Sequence, residues 1–85
     1  MFGRTKQRQA LLELSGSIQK EIYSCFNESV DHFDQRPTEE QLQRWFMTMD
    51  KFVLSTDERI NSEAVELSTL LFTVTKHLLK ELDKK

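Results

Sequence analysis

Apolar residues recur every three or four positions along this chain, the spacing that lines one face of an α-helix. Three stretches carry the pattern. The first runs from about residue 5 to residue 34, through Leu11, Leu14, Ile18, Ile22, Cys25 with Phe26, Val30 and Phe33. Leu11, Ile22 and Phe33 stand eleven apart, about 3.67 residues per turn, which favours a nearly straight helix. Gly16 interrupts this stretch at a cost of about 1 kcal/mol relative to alanine. It either admits a neighbouring helix or is simply tolerated.

Pro37 disfavours helical geometry at Arg36 and ends the first stretch. Thr38 then reads as an N-cap, with Gln41 at capping-box spacing and Glu39 and Glu40 in the first turn. A second helix is expected over residues 39–54, striped by Leu42, Trp45 with Phe46, Met49, and Phe52 with Val53. Ser55 and Glu58 repeat the capping-box spacing, so a third helix is expected over 57–83; Asn61 and Ser62 offer a second start. Its stripe is Ile60, Ala64, Leu67, Leu71, Val74, Leu78 and Leu82, with a second line of Val65, Phe72 and Leu79 beside it. Together they cover roughly 160° of the helix, a face wide enough for two neighbours. Lys76, Lys80, Lys84 and Lys85 suit the negative end of its dipole.

These elements define an all-α chain, and two architectures fit them. A break near Ser55 gives a small three-helix bundle, which uses the wide third face internally. But neither Gly nor Pro follows Thr38, and the stripe stays in phase across the break. The last two stretches could then form one helix of about 45 residues, ~67 Å long. The first helix would cover only part of this long antiparallel hairpin. Its apolar end, Leu70 to Leu82, would require a partner or self-association.

Length and charge narrow the classes. Eighty-five residues make one domain. One cysteine cannot build a disulfide framework, and with two histidines it cannot close a structural zinc site. No apolar run approaches the roughly 20 residues that span a bilayer. The opening MFGRTKQRQ has charges but no apolar core of a secretory signal. A cytoplasmic location is expected. The net charge of −2 is spread evenly, apart from Arg4, Lys6 and Arg8 at the start. That basic arm is the sole support for nucleic-acid binding, and the acidic start of the third helix opposes it. The lysines of the third helix are too few for a membrane-surface helix.

Catalytic chemistry finds little support. His32 and His77 fall on different elements, and no nucleophile elbow, phosphate loop or H-E-x-x-H helix is present. Glu28 and His32 have the spacing of a surface ion pair. Cys25 and His32 would share a helix face, but Cys25 sits in the apolar stripe and reads as core. The expectation is therefore a non-enzyme without metal or cofactor.

Protein binding is the class best supported. Trp45, Phe46, Met47, Met49 and Phe52 crowd into eight positions, and such residues are enriched at interfaces. Projection puts Trp45 and Phe52 at one edge of the stripe, Met47 and Leu54 on the other flank, and Met49 inward. Tyr23 and Leu12 could extend that surface. The competing reading makes the cluster the core of the shortest helix. If the hairpin forms instead, Leu71, Phe72, Leu78 and Leu79 become the self-association surface. Secretion chaperones, antitoxins, immunity proteins and regulators all use such apolar helix faces.

Overall fold

The computed structural model describes residues 2–83, with side-chain detail from Lys6 onward. It is a three-helix bundle: α1 (Phe2–Cys25), α2 (Glu39–Val53) and α3 (Glu58–Asp83). Arg8 meets Asp57, Ser15 meets Glu63, and Phe26 meets His77, so α1 and α3 run in the same direction. Met49 meets Ser68, and Asn61 reaches the end of α2, so α2 runs antiparallel to both. The core draws on all three helices and is built from Ile18, Ile22, Trp45, Phe52, Ile60, Leu67, Leu71 and Val74, all essentially inaccessible to water.

The second helix begins where its sequence says it should. The Thr38 side chain accepts the backbone N–H of Gln41 at 3.1 Å, and the Gln41 side chain accepts the backbone N–H of Thr38 at 2.9 Å. Two of the free donors that every helix start presents are thus satisfied reciprocally.

The break between α2 and α3 is real, so the long hairpin does not form. Its cap is Asp57 rather than Ser55. Asp57 Oδ1 accepts the backbone N–H of Arg59 at 3.0 Å and of Ile60 at 3.4 Å. Ser55 instead accepts the N–H of Asp57 at 3.1 Å. The Asn61 amide closes the other side of the link, donating to the carbonyls of Val53 at 3.0 Å and Phe52 at 3.4 Å. With donors and acceptors on both sides satisfied locally, the chain reverses without glycine or proline.

The first helix departs furthest from expectation. It starts earlier than residue 5 and ends at Cys25, well short of residue 34. Asn27 ends it. Its side-chain oxygen accepts the backbone N–H groups of Asp31 at 2.7 Å and His32 at 3.2 Å. Such local bonds offer the backbone an alternative to the helix ladder. The chain folds back, Phe26 and Phe33 form a lone antiparallel bridge, and Asp34 and Gln35 donate to the Cys25 carbonyl. Val30 takes φ 56° at the turn, a left-handed conformation that β-branched residues rarely adopt. The apolar period continues through Phe26, Val30 and Phe33 because the loop buries the same residues a helix would have. Phe26 and Phe33 stack at 4.5 Å, and His77 of α3 meets Phe26 edge-on at 5.1 Å.

Gly16 is exposed, and an added Cβ would meet nothing within 4 Å. Of the two sequence readings, tolerance is the right one. Lys84 and Lys85 lie outside the described residues.

Candidate functional site

The apolar surface is concentrated on two helices. Nine large hydrophobic side chains are exposed among the described residues, and all but Tyr23 belong to α2, its C-cap Leu54, or α3. Their phases show why. On α3, Ile60, Leu67 and Leu71 mark the buried line. Glu63 and His77 turn toward α1 and its loop, while Asn61 and Ser68 turn toward α2. Val65, Phe72 and Leu79 lie roughly 100–140° round from the buried line, just beyond the α2 side. On α2, Arg44 pairs with Glu21 of α1, so that flank faces α1. Phe46 and Val53 occupy the opposite flank, next to Met49 and α3. The two sets therefore border one face, the side of the α2–α3 pair that α1 leaves uncovered.

The wide face of α3 is thus not used internally. Val65 is 64% exposed and Phe72 67% exposed. The bundle buries the first stripe from Ile60 to Val74, leaving Leu78 half-buried and Leu82 exposed, and the second remains on the surface because α1 and α2 both pack close to the buried line. Met47, 63% exposed, and Leu54, 81% exposed, continue the apolar surface over the back of α2.

The structure separates the sequence candidates. Trp45 and Phe52, proposed as the centre of a binding face, are both 0% exposed and belong to the core. The physical reason is packing geometry: they point into the space between α1 and α3, not past it. Leu71 is likewise core, while Met49 and Leu78 are partly buried against it. Tyr23 is exposed but belongs elsewhere. Glu21 faces α2 and Gln19 faces α3, which puts Tyr23 on the α1–α3 side of the bundle, and not on the surface bearing Met47 and Leu54. Of the candidates, Met47, Leu54, Phe72 and Leu79 remain on the α2–α3 side. Phe46, Val53 and Val65 join them. Their seven-residue spacings were the available signal: Phe46 to Val53, Met47 to Leu54, and Val65 to Phe72 to Leu79.

Comparison with family models, curated proteins and solved structures gives no match.

The other candidate chemistry is accounted for locally. The helical pairings of His32 with Glu28 and with Cys25 do not form, since His32 lies in the loop, exposed and 3.5 Å from Asp34. Cys25 is buried, and burial pushes its thiol up, with the nearby Glu21 charge adding to the effect. A thiol shifted this way is a poor nucleophile. The buried Ser15 hydroxyl donates to Glu63 at 3.0 Å and accepts from Gln19 at 3.1 Å, a junction that fixes α1 against α3. Neither histidine belongs to it. Among the described residues no three His, Cys, Asp or Glu side chains converge on a metal-sized position. No described helix is long and apolar enough to cross a membrane.

An open cleft of about 650 Å³ lies between the start of α1 and the α2–α3 link. Two of the charged groups that line it, Arg8 and Asp57, already engage one another. The Arg8 guanidinium donates to Asp57 through Nε at 2.8 Å, with a second nitrogen at 2.7 Å. Of the basic arm, Arg8 is thereby committed to an ion pair and Lys6 is exposed. Only the backbone of Arg4 is described.

Arg8 holds the Asp57 carboxyl below its ordinary value; burial opposes the shift, and the N–H groups of Ile60 and Arg59 assist it. A depressed carboxyl contributes stability above its unfolded value, near pH 4, and that contribution disappears as pH falls through the folded value. The urea midpoint should therefore drop on acidification below about pH 4. Asp57→Asn keeps a capping side chain but removes the charge, so its midpoint should fall less over the same interval. An equal fall in both proteins would show that Asp57 does not supply the acid sensitivity.

Proposed function

We propose that this chain is a non-enzymatic protein-interaction module that binds a protein partner through the apolar face of α2 and α3. One observation carries the reading: exposed Phe46 and Val53 of α2, and exposed Val65, Phe72 and Leu79 of α3, border a single face at seven-residue intervals. Contiguous apolar surface of this kind marks interaction sites on small domains. A seven-residue interval keeps a seam aligned with a partner helix, as in coiled coils. The exposed charges of the two helices are mixed, Glu66 and Asp50 with Lys76 and Lys80, which suits a protein partner better than phosphates or an anionic membrane.

The test compares faces. A partner isolated with the wild-type chain is purified and measured against two variants of equal stability. Met47→Glu with Phe72→Glu should weaken binding at least tenfold, as expected for losing anchors worth over 1 kcal/mol. Tyr23→Glu, on the α1–α3 side, should leave it unchanged. Equal binding by all three proteins would sink the assignment.

A further inference from the structure

We draw no further inference here: the strongest candidate, the exposed apolar face that Phe46 and Val53 of α2 share with Val65, Phe72 and Leu79 of α3, carries none because nothing in the structure shows what covers it.

Discussion

Trp45→Ala is expected to cost about 3–5 kcal/mol, the usual penalty for truncating a fully buried aromatic. A domain of this size is typically stable by about 4–13 kcal/mol, so the loss takes a large share of the total. The side chain is fully buried among residues of α1 and α3, and a cavity there touches all three helices. Urea unfolding followed by far-ultraviolet circular dichroism measures it, since the substitution removes the only tryptophan. Trp45→Phe should cost much less than its lost volume implies. The Nε1 donor of Trp45 is buried with no acceptor among the described residues, and removing an unsatisfied donor recovers about 1–3 kcal/mol. A Trp45→Ala protein with a wild-type midpoint would place the ring on the surface and contradict the packing described above.

Two adjacent positions on α3 should behave in opposite ways. Leu71→Glu puts a carboxylate where the wild-type side chain is 2% exposed. Losing the packing and burying a charge should together cost roughly 4 kcal/mol or more, enough to abolish the cooperative transition. Phe72→Glu, one residue on, meets water instead. In dilute solution, with each protein compared as a single chain, its midpoint should stay within about 0.5 kcal/mol of wild type. A folded Leu71→Glu protein would mean that α3 does not pack along the Ile60–Leu67–Leu71 line.

The helices were legible where chemistry is local. Thr38, Gln41 and Pro37 announce the start of α2 almost to the residue, because a capping box needs only neighbours in sequence. The α2–α3 break was legible as a place and not as a mechanism. Ser55 and Asp57 both can cap, and the choice depends on Asn61 reaching back to the end of α2 and on Arg8 arriving from α1. The first helix was overextended because periodicity reports burial and not backbone shape. Phe26, Val30 and Phe33 are partly or fully buried at helical spacing without being helical. The candidate site was half legible. Seven-residue spacing of Val65, Phe72 and Leu79 was visible, but which stripe a bundle buries depends on how closely the other helices sit. Trp45 and Phe52 have the composition of an interface, and only tertiary packing shows them to be core.

The two connections differ in what they require of the rest of the chain. The α2–α3 link spans four residues and is held by bonds among its near neighbours, so those two helices can meet as a local hairpin at small entropic cost. The loop after α1 has no such independence. The left-handed Val30 is disfavoured on its own, and Phe26 and Phe33 rest against His77, near the far end of α3. During synthesis α1 therefore emerges well ahead of the surface that secures its end. Until α3 reaches His77, Phe26 and Phe33 have no surface to close against. The end of the first helix is thus secured by almost the last part of the bundle to be made.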